Sequence, residues 1–273
     1  MRNIFIISWF TLREAMARKV FMFFAGISLL VLIISVLVFS LVDTQTFISA
    51  ANQGQSDLIL KEIVAGLELL IISPLAGLCL LLAIFSSASF VPVMLEKGTI
   101  DLLLSKPISR PQLLIGKYLG GLLVVFINIL FLIVGVWLII SLKFSYWDFS
   151  FLLVSLTVTF SFAVLYSIIV LFGVITRSSI LGMMVAYLIF LILSPLLQLY
   201  KTELHTFVEN GIAKTILDGL YYIIPQTAEL MGKLTVDLAS GHGIDNYSPV
   251  ITSFFLLVLV LSFSIFLFRK KDF

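Results

Sequence analysis

Charge is what this sequence has least of. Of its 273 residues, 12 % are Asp, Glu, Lys or Arg, against 61 % apolar. A soluble domain carries about a quarter charged residues, so this chain cannot cover itself against water and its outer surface must be lipid. Its one cysteine, Cys79, lies in an apolar run, which excludes a disulfide framework. Its two histidines, His205 and His242, stand far apart and lack the company of ligands that a metal site needs. No glycine-rich phosphate loop leads into Lys and Ser or Thr, and neither His-Glu-x-x-His nor Gly-x-Ser-x-Gly occurs. The chain is therefore expected to be no enzyme and to bind no cofactor.

What is present is apolar length. Six runs are free of charge and reach the roughly 20 residues a helix needs to cross hydrocarbon: 20–42, 69–95, 118–142, 149–176, 178–200 and 246–268. Lipid demands that backbone polar groups be satisfied within the segment, which makes each run a helix. The expected fold is an all-α polytopic membrane protein in a single transmembrane domain over 1–273. The first run is too long for a signal-peptide core and reads as a permanent span. No run carries an ionisable residue at its middle, which argues against a carrier driven by protons or sodium and against an intramembrane aspartyl protease.

The charges that do occur are sorted by side. With the N-terminus cytoplasmic, the inner segments hold twelve Lys and Arg and the outer ones five, Lys61, Lys143, Lys201, Lys214 and Lys233. This satisfies the positive-inside rule and returns the C-terminus to the cytoplasm.

Between the spans, Met1 to Lys19 reads as an interfacial helix. Phe5, Trp9, Leu12 and Met16 recur at helical spacing, with Arg13 and Glu14 off that stripe. Asp43 to Glu68 reads as an outer loop, with Glu68 at the mouth of span two; Glu68 and Asn128 are the candidate pathway residues. Pro74 and Gly77 are candidates to kink span two, and Pro195 to kink or end span five. Gly182 and Ala186, four apart, offer a close-packing face. Residues 201–245 form the sizeable outer region, with an amphipathic helix through Leu204, Val208, Ile212 and Ile216, a turn at Pro225 and a second helix over 226–238.

The segment richest in punctuation lies between spans two and three: Glu96-Lys97-Gly98-Thr99-Ile100-Asp101-Leu102-Leu103-Leu104-Ser105-Lys106-Pro107-Ile108-Ser109-Arg110. Gly98 frees the chain to turn, Thr99 caps a short helix with a leucine side, and Pro107 stops it. Ser109 and Gln112 then fit a capping box with Pro111 at the first helical position, so the third helix begins near Arg110. Helix, sharp turn, helix is a small rigid knob, suited to docking a soluble partner.

This loop, running on to Gly116 and Lys117, resembles the first cytoplasmic loop of type-2 ABC exporter permeases, notably the nitrous-oxide-reductase maturation and gliding-motility permeases. The resemblance implies that the loop is a coupling helix seated on a separate ATPase, with Glu96, Lys97, Gly98, Thr99, Asp101, Leu102, Leu103, Ser105, Lys106, Pro107 and Arg110 at the contact. It implies that the N-terminal helix, through Trp9, Arg13 and Glu14, touches the same partner. It further implies a prokaryotic inner-membrane half-transporter, most simply an exporter. That half would pair with a second copy or a homologous permease, with ATP and magnesium on the partner ATPase and no nucleic acid involved. A membrane scaffold using the same ATPase without moving a substrate is the alternative.

Overall fold

The computed structural model describes residues 2–17, 19–41, 56–96, 98–100, 108–206, 211–239 and 246–271. It is helical throughout, and six of its helical segments are long and apolar enough to cross a membrane. Helix α1 (Arg2–Met16) precedes α2 (Lys19–Leu41), the first span. Span two is α3 (Ser56–Ser87), followed after a break by the short α4 (Phe90–Met94). Span three is the long α5 (Arg110–Phe144). Span four is α6 (Val154–Thr176), entered through a 3-10 turn at Ser150–Leu153.

Span five is composite: α7 (Ser179–Leu188), a π-helical turn, α8 (Ser194–Leu199) and a second π-helical turn ending at Leu204. On the far side, α9 (Gly211–Ile223) leads through Pro225 to α10 (Thr227–Glu229), a π-helical turn and α11 (Thr235–Ala239). Span six is α12 (Ser248–Lys270).

The expected boundaries need three corrections. Helix α3 starts at Ser56, thirteen residues before the apolar run, so Glu68 lies within a helix and not at the end of a loop, six residues ahead of the spanning segment that begins at Pro74. Nothing between Ser56 and Glu68 breaks a helix, and backbone hydrogen bonds continue beyond the lipid into water. Helix α5 likewise extends past the expected run at both ends. Finally, Pro195 does not end span five. It sits in the first turn of α8, where its missing N–H costs little, directly after the π-helical turn Ile189–Leu193. Pro74 is also carried inside α3 without ending it.

Span four is the hub. Helices α3, α5, α7 and α12 all pack on α6. Its spanning segment is 72 % buried within the chain, against 11 % for span six. Small hydroxyls permit this. Ser155, Thr157 and Ser167 are buried, yet each donates to a carbonyl of its own helix, Leu152, Val154 and Val164 at 2.7, 2.9 and 2.7 Å. Neighbouring helices then approach a narrow surface. Gly182 shows it on span five: a Cβ there would meet the Ile169 carbonyl at 3.0 Å, and Ala186 is fully buried one turn on. On the other flank, Tyr118 of α5 stacks on Tyr166 of α6 at 5.3 Å and donates its hydroxyl to the Ala163 carbonyl at 2.8 Å.

Candidate functional site

One end of the bundle gathers the basic residues. Span four ends at Arg177, whose φ of 56° turns the chain, and Ser178 caps α7 by accepting from the Leu181 amide. The whole connection between spans four and five is thus Arg177 and Ser178. At the same end α4 runs into Glu96 and then Gly98, at φ 89°, a conformation only glycine adopts without strain. The Glu96 carbonyl accepts from the amides of Thr99 (3.1 Å) and Ile100 (3.2 Å). Thr99, expected as the cap, is already within the helix, and Ile100 is buried. The remaining candidates of this loop, Lys97, Asp101, Leu102, Leu103, Ser105, Lys106 and Pro107, lie outside the described residues.

The exit of the loop is well defined. Ser109 caps α5 through a capping box with Gln112, with Pro111 in the first turn. Arg110 does more than rim the knob. Its guanidinium donates to the carbonyls of Lys271 (2.6 Å) and Arg269 (3.2 Å), at the end of span six. Lys271 in turn donates its ammonium to the carbonyls of Val174 (2.6 Å) and Ile175 (3.0 Å), at the end of span four. The last carbonyls of a helix have no partner of their own, and they carry the negative end of its dipole. Two cations here satisfy two such ends and tie spans three, four and six together. Burial, followed by the nearby Arg177 charge, pulls the Lys271 ammonium below the ordinary lysine range.

Helix α1 lies against the first turns of α5. Asn3 reaches Gln112, Ile7 meets Gly116 and Thr11 meets Gly120, so the helices run in the same direction through the crossing. The glycines form a notch. A Cβ on Gly116 would stand 2.7 Å from Ile7 Cβ, and one on Gly120 would stand 2.5 Å from Thr11 Cβ and 2.9 Å from the Ser8 carbonyl. Ser8 donates to the Gly116 carbonyl at 3.0 Å. Beside the notch, Lys117, 5 % exposed, meets the Glu14 carboxylate at 2.6 Å.

The apolar stripe of α1 and its packed face are different faces. Of the stripe Phe5, Trp9, Leu12 and Met16, only Leu12 is buried; Phe5, Trp9 and Met16 face outward. The packed face is Ile7, Ser8, Thr11, Leu12 and Ala15. Arg13 is exposed, while Glu14 is engaged within the chain. The Gly116-x-x-x-Gly120 spacing was the signal that could have announced this contact.

Asn128 is buried in α5 and donates to the Val124 carbonyl of its own helix at 3.0 Å. Glu68 stands in α3, away from the basic end. Among the described residues no group of His, Cys, Asp and Glu could hold a metal. Two grooves of about 410 Å³ each lie along α1/α5 and α2/α5; the first is almost wholly apolar, as suits lipid-facing surface, and the second carries Ser40 and Lys143 in its lining.

Comparison with known proteins agrees with these features. The sequence model of one family, described as ABC-2 family transporter protein, matches residues 6–273. Among curated proteins none matches the chain.

Proposed function

From the membership of this chain in the ABC-2 transporter family, we propose that it is the permease half of an exporter, driven at the 96–110 loop by a separate ATPase. Membership itself makes it a multi-pass membrane permease served by a cytoplasmic ATPase, and the sequence holds no nucleotide-binding motif of its own. The observation that carries the finer reading is the loop's place at the basic end. Its entry is a glycine turn, and its exit is a capped helix bonded to the end of span six.

A push on this knob would move Arg110, and with it the ends of spans six and four. Spans would then tilt as rigid rods, the form of motion by which bundles alternate access. One copy supplies six spans, and span six is 11 % buried within it. Pairing with a second copy, or with a homologous permease, would cover more of that surface.

The test is to purify the tagged full chain from its native membrane, identify the co-purifying ATPase and reconstitute both in vesicles. ATP-dependent release of substrate is expected for the wild type, and its loss with retained thermal stability for Gly98→Val or Asp101→Lys. Intact coupling in both variants would overturn the assignment of the loop. ATPase binding without any release would favour the scaffold instead.

A further inference from the structure

The far end of the bundle holds a polar stripe that the transport reading leaves unused. Helix α9 runs back alongside span five: Asp218 meets Lys201 at 3.1 Å, and Tyr221 and Ile224 line a small cavity with Ser194 and Leu197. The chain then reverses at Pro225, and the Ala228 amide donates to Ser194 Oγ at 2.9 Å. Ser194 precedes the end of span five, Leu204, by ten residues, or about 15 Å of helix. The α9–α11 hairpin is therefore re-entrant, and its tip lies within the depth of the bundle.

Along its second arm, Gln226, Glu229, Lys233 and Asp237 follow at intervals of three and four residues, so they share one face. Two cavities open on that face. The inner one, about 10 Å³ and large enough for about one water, is lined by Gln226 and Glu229 together with Ser194, Gln198 and Tyr221. The outer one, about 60 Å³, is lined by Glu229, Lys233, Asp237, Asn246 and Pro249. Glu229 belongs to both and holds the Tyr221 hydroxyl at 2.9 Å. Lys233 and Asn246 are exposed, so the outer cavity opens beside them.

One atom marks the site as a place for a donor. Gln226 is 5 % exposed and donates its amide to the Tyr221 carbonyl, but its Oε1 accepts nothing among the described residues. A buried acceptor left unpaired costs about 1–3 kcal/mol, and this one lines the inner cavity.

We propose that this stripe binds the headgroup of a zwitterionic amphiphile, a phosphate joined to an ammonium. The ammonium sits against Glu229, with Gln226 Oε1 behind it as a further acceptor, directly or through one water. The phosphate takes Lys233, one turn farther out at the open mouth. Asp237, a further turn on, repels a second negative charge and so selects against anionic headgroups. The acyl chains lie in the surrounding bilayer. This inference rests on reading the chain as a bilayer-spanning permease, but not on its ATPase.

Native mass spectrometry of the full chain in detergent, without nucleotide, tests it. The probes are dioleoyl-phosphatidylethanolamine, dioleoyl-phosphatidylglycerol and dioleoylglycerol. The wild type should retain the ethanolamine lipid over both others. Lys233→Ala and Glu229→Gln should each lower that retention about tenfold, the worth of one charged hydrogen bond. Glu229→Gln still accepts from Tyr221, so the hairpin keeps its fold. Glycerophosphoethanolamine that competes off the lipid would mark the soluble headgroup as a ligand in its own right; failure to compete would mark the lipid. Equal retention of dioleoylglycerol, or unchanged retention in both variants, would overturn the site. Since nothing is hydrolysed, this result stands or falls apart from the coupling assay.

Discussion

The two ends of the bundle are built on different principles. At the basic end, contacts join charge to backbone or close helix on helix. Arg110 and Lys271 clasp helix-end carbonyls, Lys117 meets Glu14, and α1 lies in a glycine notch. From the middle of span five outward the helices are loosened by three π-helical turns, at 189–193 in midspan and at 200–204 and 230–234 beyond it. Bonds there include single neutral ones, such as Thr235 to Thr157 at 3.5 Å. Buried Oε1 of Gln226 and Oγ1 of Thr227 accept or donate nothing among the described residues. A π-helical turn leaves a weak seam in a helix. The contrast suits a machine that takes up force where it is stiff and changes shape where it is soft.

Damage should therefore be greatest at the basic end. Gly120→Val drives two methyls into Thr11 and the Ser8 carbonyl, with backbone that cannot retreat. Overpacking of this kind costs about 1–3 kcal/mol. The thermal midpoint of the purified protein should fall clearly below that of Gly219→Val, whose Cβ meets nothing within 4 Å. Equal midpoints would abolish the supposed stiffness of the notch.

A middle-sized loss is expected at Glu14→Ala, which strands the buried Lys117. Stranding a fully buried cation costs about 3–5 kcal/mol. Glu14 is 32 % exposed, and water discounts the figure to about 1–2 kcal/mol here. Adding Lys117→Met should restore most of the midpoint. If the double variant melts no higher than Glu14→Ala, the pair is not what holds α1.

The smallest effect belongs to the far end. The Lys201 ammonium, hydrogen-bonded to Asp218, holds that carboxyl below the ordinary aspartate range despite its partial desolvation, with His205 and Lys214 adding to the pull. A depressed carboxyl pKa gives stability that is fully present above the unfolded value and vanishes as pH falls through the folded one. Hydrogen exchange of α9 should thus be steady from pH 7 to pH 5 once corrected for intrinsic rates. Below about pH 4 it should rise to the level that Asp218→Asn shows throughout. A rise already at pH 6 would place control elsewhere.

Much of the fold could be read from sequence because its rules are local. Six charge-free runs gave six spans, Ser109 and Gln112 gave the cap of α5, and Gly98 gave the turn into the loop. Residues 56–68 were misjudged because Lys61, Glu62 and Glu68 suggest a loop, while a helix leaving the membrane needs no apolar residues to continue. The packed face of α1 went unread for a deeper reason. In water the apolar face is the buried face; in lipid, large apolar groups can stay outside and small residues make the contact. Hence Phe5 and Trp9 look out while Ser8, Thr11 and Ala15 look in. The clasp of Arg110 and Lys271 joins carbonyls that no spacing rule relates.

The notch of Gly116 and Gly120 also sets an order of events in synthesis. Helix α1 leaves the ribosome before α5, and its berth is made about a hundred residues later: Asn3 and its partner Gln112 stand 109 positions apart. Until then its small-residue face has nowhere to rest. Lys271, just past span six, must find carbonyls laid down 97 and 96 positions earlier. Spans three and four are thus a mould finished before α1 and the end of span six can be fitted to it. A nascent chain halted before span three would hold α1 unseated, open to whatever insertase or protease meets it first.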